Sequence, residues 1–263
     1  MDTREKGLFK KIMRQTDDDK LSTYLAKFIV WIAVFVTPTK YWYSIAYNIA
    51  NIFSTISRKA LWSNWSIKFQ RAQRLNRLLS FFTRSGRPFD IPLKITGLEL
   101  LDNTTNGVAI CSVHLPLIKV GIRAILDSGF QIDAMIAAKS SPDGKMAFWG
   151  TNKRVPIIPT INASVLIKTR SILKNNGCTT LMIDTHFGRP LSPNMLRFCG
   201  KTGTKVVFLL AELLDDHSVA IQLIAPPFPY CEDEDKVFKN LTELDRLRSE
   251  ILTRYKQKDI RFS

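Results

Sequence analysis

Three side chains carry what a proton-transfer site needs: His114, Asp184 and His186. A histidine that takes a proton from an attacking hydroxyl works with a carboxylate on its other ring nitrogen. The carboxylate fixes the tautomer and stabilises the imidazolium that forms. Asp184 is the best candidate for that partner; its other reading is a loop carboxylate that caps the following turn. The bland reading of His114 is a histidine that caps a helix or fills a half-buried corner. His186 is read as substrate-binding, as a support for the other two, or as exposed, and His217, opening an edge strand, is given no role.

The elements that must position these groups are legible around them. The run Gly107-Val-Ala-Ile-Cys-Ser-Val113 is apolar and partly β-branched, long enough for one strand buried on both faces, and it stops at His114. Pro116 then precedes the amphipathic residues Leu117, Ile118, Ile122, Ile125 and Leu126, and Gly129 closes the helix. His114 therefore sits between strand and helix, at the carboxyl edge where open α/β sheets bind ligands. Cys178 to Asp184 is another strand ending in a polar cluster, Asp184-Thr-His186-Phe-Gly188-Arg189-Pro190. If the two strands run parallel, His114 approaches Asp184 and His186. Free N–H groups at the helix after His114, or the backbone around Gly188, are the natural oxyanion donors.

The remaining pattern alternates strand and helix. A strand and turn are expected at 93–101 and strands at 132–138, 205–214 and 217–224, with the last two forming a hairpin that gives the sheet an antiparallel edge. Val155-Pro-Ile-Ile-Pro159 is a short strand at best, because its prolines bar a central position. Helices are expected at 163–175 and 191–202, and a final one carries Phe238, Leu241, Leu244, Leu247 and Ile251 behind the acidic cluster 232–235. This predicts an α/β fold with a mixed, mostly parallel sheet, helices on both faces, and N-terminal membrane-associated helices.

Charge divides the chain. The net charge is +15, yet no Asp or Glu occurs between Leu21 and Phe89, a stretch holding ten Lys and Arg residues. Residues 1–20 read as a charged tail, 21–91 as a basic, aromatic membrane-associated helical region, and 92–263 as the α/β domain. Phe28 to Val36 is unbroken apolar sequence, about half of the roughly 20 residues a spanning helix needs. It lacks a signal-peptide cleavage pattern. Cations flank it, and Trp31, Tyr41, Trp42, Tyr43, Tyr47, Trp62 and Trp65 supply interfacial aromatics. A helix or hairpin lying in an anionic membrane surface is the expectation, with Phe28, Trp31, Phe35 and Trp42 in contact with lipid; the alternative is an ordinary buried helix pair. Arg71, Arg74 and Arg77 extend the basic surface on the next helix, a face suited to an acidic carrier protein.

Several chemistries are set aside. Four scattered cysteines show neither zinc spacing nor a disulfide framework, so no metal is expected and a reducing compartment fits best. Gly200-Lys-Thr202 mimics the end of a P-loop without its first glycine, and there is no G-x-S-x-G or dinucleotide fingerprint. Asn152, Lys153 and Arg154 could hold a phosphate or form a solvated turn. Nucleic-acid binding by the basic 21–89 region is a weaker alternative, disfavoured by the apolar Phe28 to Val36 run.

The run Gly107 to Lys119, preceded by Ile95-Thr-Gly-Leu-Glu-Leu-Leu101, resembles the first block of the lysophospholipid acyltransferase superfamily, closest to the late acyltransferases of lipid A biosynthesis. The resemblance continues through Leu181-Met-Ile-Asp184, Pro190-Leu-Ser-Pro193 and Gly203-Thr-Lys-Val-Val207, covering roughly 20 to 228. It implies transfer of an acyl group from an acyl-carrier-protein or coenzyme A thioester to a hydroxyl or amine, with no other cofactor. It implies His114 as general base and a location at the cytoplasmic face of the inner membrane, peripheral or held by one N-terminal anchor. That family's His-x4-acid motif reads His114-Leu-Pro-Leu-Ile-Lys119 here, and a cation cannot accept the imidazole N–H. Three explanations stay open: Asp184 orients His114 instead, Lys119 binds a substrate carboxylate or phosphate, or the site is a relic that binds lipid or a partner without turnover. Arg154, His186, Gly188 and Arg189 complete the substrate-binding candidates.

Overall fold

The computed structural model describes residues 21–60, 66–83, 87–102, 106–138, 144–148, 153–160, 164–185, 187 and 189–256. Eight strands form one sheet: β1 (Leu93–Thr96), β2 (Val108–Ser112), β3 (Ala134–Ala137), β4 (Lys145–Ala147), β5 (Arg154–Pro159), β6 (Cys178–Met182), β7 (Lys205–Leu213) and β8 (Val219–Ile224). Their order is β1-β8-β7-β2-β6-β3-β5-β4. β7–β8 and β4–β5 pair antiparallel; every other neighbouring pair is parallel. The helices are α1 (Leu21–Val36), α2 (Trp42–Ala60), α3 (Ile67–Thr83), α4 (Ile118–Asp127), α5 (Val165–Lys174), α6 (Asn194–Thr202) and α7 (Glu234–Lys256).

Helices cover both faces of the sheet. Leu209 and Glu212, three residues apart on β7, point to opposite sides. On one side a Cβ added at Gly121 of α4 would lie 3.1 Å from Leu209, so α4 rests directly on the strand. On the other, Glu212 accepts from Arg254 of α7 at 2.7 Å. β2 is buried throughout and β7 from Val206 onward, as strands covered on both faces must be.

Two strand expectations need correction. β8 does form a hairpin with β7, but it is not an edge: β1 pairs with its far side from Leu93↔Val219 to Thr96↔Gln222. β5 lies between β3 and β4 despite its prolines. Ile157 donates to the Gly144 carbonyl at 2.8 Å and Thr160 to the Ala137 carbonyl at 3.0 Å. Odd-numbered N–H positions thus face β4 and even-numbered ones β3. Pro156 would face β3 just before that pairing begins at Ile157, and Pro159 would face β4 after its last paired residue, Pro156. Neither proline interrupts a ladder hydrogen bond.

The helices before the sheet share its core. Trp42, expected in lipid, is fully buried, its ring 5.1 Å from Phe82 and 5.8 Å from Phe89. Its indole N–H donates to the Thr37 carbonyl at 3.1 Å, which satisfies the one polar atom it carries inward. Tyr43 and Tyr47 are buried too: Tyr43 donates to the His217 carbonyl at 2.5 Å and Tyr47 stacks on the His217 ring at 4.1 Å. Residues 42, 43, 46, 47 and 50 are buried in a single helical stripe, so these aromatics are packing, and His217 anchors α2 to the β7–β8 turn. Phe69 of α3 meets Phe187 and Tyr255 at 5.3 and 5.5 Å. Residue 91 therefore divides the chain by composition, while the packing runs across it. Trp62 and Trp65 lie outside the described residues.

The outer face of α1 is different. Phe28, Ile32, Phe35 and Val36 are exposed, while Val30, Ala33 and Val34 pack inward. At 16 residues, α1 is short for a bilayer, and no helix among the described residues is long and apolar enough to cross a membrane.

Candidate active site

β2 delivers His114 to the carboxyl edge, and β6, its parallel neighbour in the register Val108↔Cys178 to Ser112↔Met182, delivers Asp184. The two chains emerge together because Ile183 donates to the Ser112 carbonyl at 2.9 Å, carrying the pairing one residue past the strand ends. His114 Nδ1 lies 2.8 Å from Asp184 Oδ1. The same carboxylate accepts the His114 backbone N–H, at 2.9 and 3.1 Å to its two oxygens. Its side chain is 0% exposed and that of His114 41% exposed, so a buried acceptor holds an imidazole that still reaches solvent. With Nδ1–H donated to the carboxylate, Nε2 carries the lone pair.

Asp184 is fixed from behind as well. Ser192 donates to the Ile183 carbonyl at 2.7 Å, and Asp184 bridges to Leu191, closing the loop after β6. Arg248 of α7 stands 3.9 Å from Asp184 Oδ2 and donates to the Arg189 carbonyl at 2.8 Å. Arg248 had no signal in the sequence, being 64 positions from its partner on a helix whose pattern reads as a plain amphipath.

The turn after His114 is tight. Leu115 donates to the Val113 carbonyl at 2.7 Å, and Leu117, fully buried, adopts the left-handed conformation with φ 69°. Its N–H donates to Asn76 Oδ1 of α3 at 3.1 Å. The N–H groups of His114, Leu115 and Leu117 are thus all engaged, so the backbone donors expected from the following helix fall to its first residues, Ile118 and Lys119. Pro116 has none to give. Asn76 is a second residue missed in the sequence; α3 reads there as a basic surface, and its other edge closes the site.

These residues open onto a cavity of about 960 Å³. Its wall is largely apolar, with Met135 and Ile136 from β3, Leu181 from β6, Leu166 from α5 and Met195 from α6. The polar part gathers His114, Asp184 and Lys119 with Gln73, Asn76 and Arg77 from α3. Burial pulls the Lys119 ammonium below its ordinary pKa, since a cation there loses hydration. Arg74 is lowered too, first by burial and then by Arg77 beside it.

The other candidates are placed differently. Arg154 starts β5, at the amino edge of a strand parallel to β3, and so lies at the opposite edge from His114. Its neighbour Lys153 caps the far end of α4 through the Leu126 carbonyl. Arg189 contributes its carbonyl to Arg248, and its side chain is exposed away from the cavity wall. His186, Gly188 and Asn152 lie outside the described residues. The four cysteines are free thiols; burial raises Cys111 and Cys199 far above the reactive range and Cys178 to about 12.

No family model matches the chain, and no curated protein matches it. What the fold and the site define is an α/β protein with a His–Asp pair at the carboxyl edge of a mostly parallel sheet, opening on a largely apolar cavity.

Proposed function

We propose that this protein is an acyltransferase of the lysophospholipid acyltransferase type, with His114 as general base. The observation that carries the reading is the 2.8 Å contact from His114 Nδ1 to buried Asp184 at the polar part of an apolar cavity large enough for an acyl chain. Asp184 holds the Nδ1–H tautomer, and Nε2 takes the proton of an acceptor hydroxyl or amine. The acceptor atom then attacks the thioester carbonyl. As the tetrahedral intermediate collapses, the C–S bond breaks and Nε2–H returns the proton to the departing thiolate. The backbone N–H groups at the start of α4 and the side-chain amides of Asn76 and Gln73 on the cavity wall are the donors proposed for the developing oxyanion.

The donor is an acyl-carrier-protein or coenzyme A thioester, and the protein works at the cytoplasmic face of the inner membrane. The exposed Phe28, Ile32, Phe35 and Val36 on α1 support insertion into the interface, and the acid-free stretch between Leu21 and Phe89 supports attraction to anionic lipid. A second reading, a lipid-binding protein without turnover, is favoured by Lys119 and by the engaged N–H groups of the turn. The test offers long-chain acyl-carrier protein and acyl-coenzyme A with a lipid extract to the purified protein. Thioester consumption by the wild type that disappears in His114→Ala supports the enzyme; lipid binding with no consumption by any form supports the second reading.

A further inference from the structure

Leu166 and Ile167 open α5 with 56% and 73% of their surface exposed, and among the described residues beyond 91 no other large aliphatic side chain stands so far out. They belong to a second acid-free stretch. From Gly144 to Ile183 there is no Asp or Glu but six Lys and Arg residues, and three of these, Lys168, Arg170 and Lys174, are exposed on α5 itself. Single apolar residues scattered over a surface need no explanation; an adjacent aliphatic pair, set among cations at the rim of an apolar cavity, marks a contact.

Topology puts the pair at the working edge. α5 follows β5, which runs parallel to β3 and, through β6, to β2, so its first turn lies at the carboxyl edge with His114. Leu166 also lines the cavity, which makes this turn part of the rim. α1 arrives at the same edge independently. β7 is parallel to β2, so its turn into β8 is at the carboxyl edge, and Tyr43 and Tyr47 fasten α2 there through His217. α1 is tied to the start of α2 by the bond from Trp42 to the Thr37 carbonyl.

We propose that the first turn of α5 is a second contact with an anionic lipid surface, so that the protein stands on the bilayer by the carboxyl edge of its sheet with the cavity rim turned to the lipid. The inference deepens the membrane reading above and rests on it. Burial of Leu166 and Ile167 in the interface supplies the apolar part of the attraction, and Lys168 and Arg170 supply the electrostatic part. An apolar tail then enters the cavity directly from the bilayer and never exposes its surface to water. Lys174, about 10 Å further along the helix axis, is held off the lipid.

The test uses the full chain with one added cysteine at a time, Ile167→Cys, Lys174→Cys or Phe35→Cys, each carrying an environment-sensitive fluorophore. Wild type treated alike reports any labelling of the four native thiols. Vesicles are phosphatidylcholine with or without phosphatidylglycerol, and a nitroxide lipid is the quencher. The expected result on anionic vesicles is a blue shift and quenching at the positions of Phe35 and Ile167 and neither at that of Lys174. Binding reported at Phe35 with no response at Ile167 overturns the α5 contact and leaves α1 on the membrane. Quenching at Lys174 equal to that at Ile167 overturns the edge-on orientation. A probe at Ile167 that ignores vesicles and responds to acyl-carrier protein assigns the patch to a protein and overturns the lipid contact. Silence at all three positions overturns the membrane reading itself, whereas thioester consumption in detergent, where no bilayer is present, tests the acyltransferase reading separately. Ile167→Asp, at a position exposed enough to spare the fold, should weaken affinity for anionic vesicles about tenfold and leave that consumption unchanged. Unchanged affinity overturns the contact.

Discussion

The carboxylate of Asp184 holds His114 twice, by the ring at Nδ1 (2.8 Å) and by the backbone N–H (2.9 Å). One buried acceptor thus sets both where the residue sits and how its imidazole is turned. Asp184→Asn replaces one of the two oxygens that face the His114 N–H with an N–H₂ group, so that a donor faces a donor, and removes the charge that stabilises the imidazolium. If the acyltransferase reading holds, turnover should fall by about 10²–10⁴-fold, and stability by about 1–3 kcal/mol because a buried donor loses its acceptor. His114→Ala should abolish turnover with a smaller change in urea midpoint. Equal activity in Asp184→Asn and wild type would remove Asp184 from the machinery.

Asn76 supports the same turn from the other side. Leu117 is held in the left-handed region, a conformation that costs a leucine about 1–3 kcal/mol and persists only where its surroundings over-determine it. The 3.1 Å bond from its N–H to Asn76 is one of those restraints, and complete burial of its side chain is another. Asn76→Ala should lower stability by about 1–2 kcal/mol, and turnover should drop as His114, three residues back, loses its placement. Asn76→Asp keeps the acceptor and should recover most of the stability, which thermal unfolding of the three proteins would read.

The two ends of the N-terminal aromatic stretch should respond differently to mutation. Trp42→Ala opens a hole between Phe82 and Phe89 and should cost about 3–5 kcal/mol. Serine at Phe28, Ile32 and Phe35 together should leave the melting temperature within a few degrees, since these side chains face outward. Their loss should weaken flotation with anionic liposomes. Unchanged flotation would remove α1 from the membrane contact.

The positions of His114 and Asp184 were readable because both depend on local signals: an apolar run that stops at a polar residue, and the parallel pairing that strand–helix alternation implies. Trp42, Tyr43 and Tyr47 were misplaced because tryptophan and tyrosine beside lysines look alike at a lipid interface and in a buried helix pair; only the partners Phe82, Phe89 and His217 decide. Pro156 and Pro159 hid a non-edge strand because the direction in which each missing N–H would point depends on register, which sequence does not display. Asn76 and Arg248 were invisible for a third reason. Each acts across a long sequence separation on a helix whose composition is accounted for by solvent exposure, so nothing local marks them as support for the site.

Lys119 ties stability to pH with a definite sign. Its pKa in the folded protein lies below the ordinary 10.5 because burial penalises the ammonium. Between the folded and the unfolded pKa the unfolded chain binds the extra proton, so stability rises with pH across that window. Below the folded pKa the penalty is present in full. Lys119→Met removes the charge and keeps the bulk, so it should stabilise the protein at pH 7 by about 1 kcal/mol. That gain should shrink as pH climbs through the folded pKa toward 10.5, and vanish only above it, where Lys119 is neutral in both states. Urea unfolding of both proteins at pH 7 and pH 10 measures it. A gain independent of pH would mean that Lys119 disfavours the fold through packing, and a loss of stability in Lys119→Met would mean that the ammonium is already compensated.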